Sequence, residues 1–371
     1  EPVSTRRTFM KTGTALAVGL VSGGSGACVT PGLKSSEGEL DRGLLAGDAL
    51  DQAARIRSGE TTAVEMVEAT IRRIEALNEP INAVVTTFYG RALADAAGSL
   101  PKGPFQGVPF LLKDLNDLAG TPKSMGSHLF DGYVSTKSSE HTIAAQEAGF
   151  VILGKTNTPE FGLVATTESA ALGVCRNPWN LEHSAGGSSG GAAAAVAAGL
   201  LPMAQASDGG GSIRVPASCC GVFGLKPSRG RNRAAAQTRA VDISVKHAVS
   251  RSVRDTAAYS AVVERRDADA PFEAVWYVEG PSKLRLRVGL FTRNAFGIDP
   301  HPHVGDAIED TAALCESLGH DVVPTTMDFE GDAVQVERVR ASTAWLGGLS
   351  AGELWRRFYR AGRPVVLAGG R

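Results

Sequence analysis

From Gly186 to Gly199 the chain reads GGSSGGAAAAVAAG, a run in which no side chain is larger than that of Val196. The helix predicted over 192–199 carries so little side chain that it can lie against other backbone at close range. Flanking segments offer buried partners. GVPFLLKDL at 107–115 is a compact apolar run ending at Lys113 and Asp114, and FVILGK at 150–155 is another. Both read as strands, the first buried up to a polar end. INAVVTTF (81–88), GVFGLKP (221–227), LRLRVGLF (284–291) and HDVVP (320–324) read as further strands. Helices fall between them. Ala63, Val64, Val67, Ile71, Ile74 and Leu77 recur at helical spacing after Gly59, with Thr61 or Thr62 as N-cap. A short alanine-rich helix follows 81–88, and others are predicted near 139–148, 252–266 and 304–319. RNPWNLEHSAGGSSGG (176–191) reads as loop. Alternating strands and helices argue for an α/β fold with a largely parallel core sheet.

The totals exclude several classes. Of 371 residues 43% are hydrophobic and 21% charged, enough for a sizeable core, and a net charge of -1 gives no electrostatic ground for nucleic acid as a main partner. The cysteines, at 28, 175, 219, 220 and 315, show neither CxxC nor His-Cys spacing; all but Cys28 read as buried small hydrophobes. His301-Pro302-His303 reads as a surface loop without metal, RRFYR (356–360) as a solvated helix face, and His128 is a candidate for lining a pocket.

Residues 1–30 have the anatomy of an export signal. Arg6, Arg7 and Lys11 precede a short apolar stretch and then small residues, and the paired arginines before Thr-Phe-Met-Lys resemble a twin-arginine signal. A periplasmic location is expected. Gly26-Ala27-Cys28 offers an alternative, a lipid anchor at Cys28, so the membrane enters only through the signal or that lipid. Residues 31–45 read as a linker. The chain ends in VVLAGGR without a clear terminal element and is expected to be incomplete there.

Chemistry concentrates in three places. DGGGSIRVPAS (208–218) puts Gly209, Gly210 and Gly211 before Ser212. Such glycines let N–H groups converge as an oxyanion hole behind a nucleophile, though a plain glycine-rich turn would look the same. GGSSGG (186–191) could be a linker, a phosphate cradle or a nucleophile elbow around Ser188. It feeds a helix, lacks a following Lys-Ser/Thr, and has no apolar strand before it, so none of the three fits well. Lys113 closes an apolar strand, where burial would lower its pKa and make it a general base without histidine; a snorkelling lysine is the bland alternative.

Taken together these segments resemble the amidase signature family, from about 45 to 330 and most densely over 107–230. Ser188 and Ser212 stand 24 positions apart, and GVPFLLKD, GKTNTPEFG and RNPWN are typical of the family. The resemblance implies one large α/β domain over 46–371 with a mixed, mostly parallel central sheet covered by helices on both sides. It implies a Ser-cisSer-Lys mechanism in which Ser212 attacks an amide carbonyl, Ser188, after a cis bond to Gly187, relays the proton, and Lys113 accepts it. Asp208 and Arg214 support the loop, and Ser189 adds a hydroxyl. No cofactor or metal is called for, and the partner is a small-molecule amide; a homodimer is compatible. Ser207 replaces the threonine common before Asp208, and members usually continue past this C-terminus. The wording near Lys113 and Ser188 resembles the hydrolases of 6-aminohexanoate cyclic dimers. Alternatives are a tRNA-dependent amidotransferase A-type subunit, which an export signal disfavours, and a non-catalytic exported binding protein, which has no need of all three residues.

Overall fold

Two capping boxes start the first helices. Asp48 and Asp51 exchange hydrogen bonds at the head of α1 (Ala49–Ser58), and Thr62 and Glu65 do so for α2 (Ala63–Leu77), so Thr62 is the cap. Gly59 ends α1 at φ 76°, a left-handed position that glycine adopts without a Cβ penalty. The computed structural model describes residue 41 and residues 43–233, 243–293 and 297–325. The expected export signal, Cys28, residues 31–40 of the expected linker, RRFYR and VVLAGGR lie outside the described residues.

Two three-stranded sheets form the centre. In the first, β1 (Val84–Thr87) pairs antiparallel with β3 (Val151–Thr156), and β2 (Pro109–Lys113) pairs parallel with β3, placing Lys113 opposite Thr156. α3 (Tyr89–Ala97) connects β1 to β2, and α4 (Glu140–Glu147) leads into β3. Two small hairpins follow, β4 (Glu168–Ser169) with β5 (Gly173–Val174), and β6 (Arg176–Asn177) with β7 (Asn180–Ser184). Next come α5 (Gly190–Ala197), β8 (Met203–Asp208) and α6 (Arg214–Cys220). In the second sheet β10 (Val245–Ser250) pairs antiparallel with both β8 and β9 (Phe223–Gly224). β2 lies alongside β8, and at the seam the Lys113 N–H donates to the Gln205 side-chain oxygen at 3.0 Å. After α7 (Val253–Val263), a parallel pair, β11 (Arg287–Leu290) and β12 (Asp321–Pro324), is joined by α8 (Pro302–Ser317).

The α/β class stands; the first central sheet is mixed and the second is antiparallel. Among the described ladders parallel pairing is confined to β2/β3 and β11/β12, less than a mostly parallel sheet requires. β10 returns beside β8 and runs against it, an element without a clear apolar alternation in sequence. The stretch 176–191 is not all loop, because backbone pairing and Asn177, which donates to the carbonyls of Ser184 and Cys219, hold β6/β7 together with little apolar content. GVFGLKP shortens to the two residues of β9. α6 went unread because Pro216 interrupts its sequence, yet in the first turn a missing N–H costs nothing.

Helices cover both faces of β2. Phe110 and Leu112 join Ala53 of α1, Ala144 of α4 and Tyr259 of α7 in one buried cluster, where Phe110 stacks on Phe150 at 4.3 Å and Phe105 stacks on Phe150 at 4.4 Å. Strand alternation turns Leu111 and Lys113 to the other side, where α5 packs on β2, β3, β8 and β10. The small residues of α5 are needed there. A Cβ at Gly191 would lie 2.3 Å from the Asn157 nitrogen and 2.7 Å from the Ala83 oxygen. Of the cysteines, Cys175 and Cys220 are buried as expected, but Cys219 is exposed on the outer side of α6 and Cys315 on α8 is half-buried.

Candidate active site

Lys113 is fully buried at the end of β2, and its amine meets three hydroxyls. Nζ lies 2.7 Å from Ser188 Oγ, 2.9 Å from Ser189 Oγ and 3.4 Å from Ser207 Oγ. Among the described residues no carboxylate contacts the amine directly. Burial therefore dominates and lowers the Lys113 pKa to about 7, with Asp208 pulling it partly back up. A side chain that is an ammonium in water is here poised to lose its proton near neutrality.

Ser188 and Ser189 occupy the turn into α5. The Gly187–Ser188 peptide bond is cis. The Ser188 carbonyl accepts from Thr158 Oγ1 at 3.0 Å, and Thr167 Oγ1 donates to the Gly186 carbonyl at 2.8 Å, so two threonines brace the turn from outside. Ser189 Oγ donates to the Ser207 carbonyl and accepts from the Ser207 N–H, tying the turn to β8.

Ser212 is set against this cluster through backbone. Its carbonyl accepts from the Ser189 N–H at 3.2 Å, and the residue is half-buried. The preceding loop is wrapped around Asp208, which accepts from the N–H groups of Gly211 at 2.7 Å and Ile213 at 3.1 Å and from Arg214 through both Nε and Nη2, each at 3.0 Å. Burial opposes ionisation of Asp208, but Arg214 and these N–H groups outweigh it and hold its carboxyl below the usual range. Arg214 itself is half-exposed at the mouth of the loop.

This geometry corrects one expectation. The Gly211 N–H is directed at Asp208 and is not free to face an oxyanion. The N–H groups of Gly209, Gly210 and Ser212 have no such partner among the described residues, and Gly209 and Gly210 are exposed. His128 lies on an exposed turn and pairs with Asp131 at 3.1 Å. Among the described residues no histidine reaches the lysine–serine cluster. His247 is buried beside Ser260 and His183 is exposed on β7. Sequence reasoning missed Thr158, Thr167 and Gln205. The first sits in GKTNTPEFG, a segment singled out only as typical of a family; the other two carried no local signal.

Known proteins with similar sequences and folds place the chain in a family. The Amidase family model matches residues 65–344. The 6-aminohexanoate-cyclic-dimer hydrolase of Paenarthrobacter ureafaciens is 42% identical over 301 residues, covering 77% of this chain and 60% of its own. Among solved structures, 6-aminohexanoate cyclic dimer hydrolase complexed with substrate superposes with a TM-score of 0.70 at 40% identity, over 76% of this chain and 61% of that one. The native peptide amidase from Stenotrophomonas maltophilia superposes with a TM-score of 0.68 at 29% identity, over 79% of this chain and 64% of that one. The chain thus spans 60% of the length of its curated relative. Matched across most of its length and folded like these proteins, the chain belongs to the Amidase family.

Proposed function

We propose that this chain carries the reactive centre of a hydrolase that cleaves carboxamide C–N bonds through a serine ester. The observation that carries the reading is the desolvated Lys113 amine, 2.7 Å from Ser188 Oγ. With its proton lost, Lys113 takes the Ser188 hydroxyl proton while Ser188 takes that of Ser212, and Ser212 Oγ bonds to the amide carbon. The oxyanion that forms faces the N–H groups of Gly209, Gly210 and Ser212. The C–N bond breaks as Ser188 gives a proton to the departing nitrogen and regains one from Lys113. Water then attacks the Ser212 ester, gives its proton to the same relay, and the acid leaves as Ser212 is reprotonated. Asp208, Arg214 and Ser189 hold the two loops in register.

A linear or cyclic carboxamide is the substrate class, and similarity to the 6-aminohexanoate-cyclic-dimer hydrolase makes that cyclic diamide the first compound to assay. A fluorophosphonate is expected to label Ser212, identified by peptide mass, and Lys113→Ala to slow labelling by about a hundredfold or more. Equal rates in the two proteins would remove the lysine from the mechanism. Amine release from a panel of amides separates a hydrolase from a binding protein on the same scaffold.

Export by the twin-arginine route to the periplasm is part of the proposal, supported by Arg6-Arg7 and the apolar stretch after Lys11. Changing Arg6 and Arg7 together to lysine is expected to leave the protein in the cytoplasmic fraction; unchanged export would refute the route.

A further inference from the structure

We propose that an apolar wall formed by Leu115 and Phe161, backed by Phe130, receives the departing amine, so that the site selects amides of hydrophobic amines over primary amides and amides of charged amines. The proposal rests on the serine reading above and deepens it.

In that scheme Ser188 Oγ hands the proton to the departing nitrogen, so the nitrogen must come within hydrogen-bond reach of this one oxygen. Whatever flanks Ser188 Oγ then touches the substituent on the nitrogen. Lys113 and Ser189 occupy the inner side. On another side stands Gly162, where a Cβ would lie 3.2 Å from Ser188 Oγ and 2.7 Å from Leu115 Cδ1. The backbone at 162 is thus pressed against the relay hydroxyl, and the Leu115 side chain is packed against that backbone.

The chain takes an unusual path to get there. Phe161 is at φ 53° and Gly162 at φ 69°, two left-handed residues in succession, the first of them bulky. The Phe161 N–H donates to the Met125 carbonyl at 2.8 Å, and Met125 is itself at φ 56°. A non-glycine residue held in this region beside a reactive group points to a functional constraint. The path sets the Phe161 ring edge-on to Phe130 at 6.1 Å, and Phe130 edge-on to Tyr133 at 5.7 Å. Phe161 and Leu115 are only half-buried. The neighbouring carboxylate, Glu160, is turned away and accepts from Ser127 Oγ at 2.6 Å. An ammonium on the amine would lose water here, whereas an aryl or alkyl substituent would gain contact.

The test uses the full chain, two amides of one acid, hexanamide and N-phenylhexanamide, and fluorophosphonate labelling of Ser212, in which the leaving group is fluoride. The native protein is expected to favour the anilide in kcat/KM. Phe161→Ala and, separately, Leu115→Ala are expected to lower the anilide-to-amide ratio about tenfold while labelling falls far less. Thermal midpoints report on folding, and two variants guard against the loss of either. A ratio unmoved in both variants, or labelling of the native protein without a preference for the anilide over hexanamide, overturns the wall. Absence of labelling in the native protein overturns the serine reading beneath it.

Discussion

Lys113 Nζ and Ser188 Oγ are 2.7 Å apart, and neither side chain is open to solvent, at 0% and 2% exposure. A lysine in such a place cannot keep its ordinary affinity for a proton. That loss of affinity gives a base at neutral pH in a site that no described histidine reaches.

The first consequence is a pH profile. With the Lys113 pKa near 7, the amine is protonated below that value and neutral above it. Ser212 labelling should therefore rise about tenfold per pH unit below 7 and level off above it. Labelling rates measured from pH 5 to 9 check this, and a flat profile contradicts it.

The same burial should weaken the fold at low pH. Between about 7 and the ordinary 10.5 the unfolded chain holds a proton that the native one has lost. Native stability from this group therefore rises with pH across that window, by up to roughly 1.4 kcal/mol per unit, and is lowest below it. Lys113→Met is expected to stabilise the protein most at pH 6 and to lose that advantage towards pH 10, as read from urea midpoints of the two proteins.

Asp208 is the post around which the Ser212 loop is wound. Asp208→Ala strands the N–H groups of Gly211 and Ile213 and removes both bonds from Arg214. We expect a loss of about 2–4 kcal/mol and near-abolition of Ser212 labelling. Arg214→Ala, which leaves the backbone bonds in place, should lose less stability, and equal losses would contradict this account.

Acid should act through the far face of the sheet. Burial holds His247 down to about 4, so between that value and the ordinary 6.5 the unfolded chain is the better proton acceptor. Stability from this group is present above 6.5 and is lost as pH falls towards 4, again by up to roughly 1.4 kcal/mol per unit. Thermal midpoints of the native protein should drop over this range, and His247→Gln should flatten the drop.

Local rules sufficed for much of the chain. A capping threonine marked α2, apolar runs marked β2 and β3, and the glycine–alanine run demanded a helix that something must approach closely. Lys113, Ser188 and Ser212 could be singled out because each breaks its local pattern: a charge closing a buried strand, a serine inside paired glycines, a serine behind three. The contact of Lys113 with Ser188 could not be read, because residues 75 positions apart meet only through the packing of β2 against β8 and α5. The same holds for β10, whose place beside β8 depends on a partner strand far away in sequence. Nor could the sequence say that the Gly211 N–H serves Asp208, or that Gly162 stands against Ser188. A hydrogen bond's direction and the neighbour of a missing Cβ are properties of the folded chain alone. What sequence sets is the chemistry each residue can offer; burial and distance, which shift a lysine from cation to base, exist only once the layers have closed.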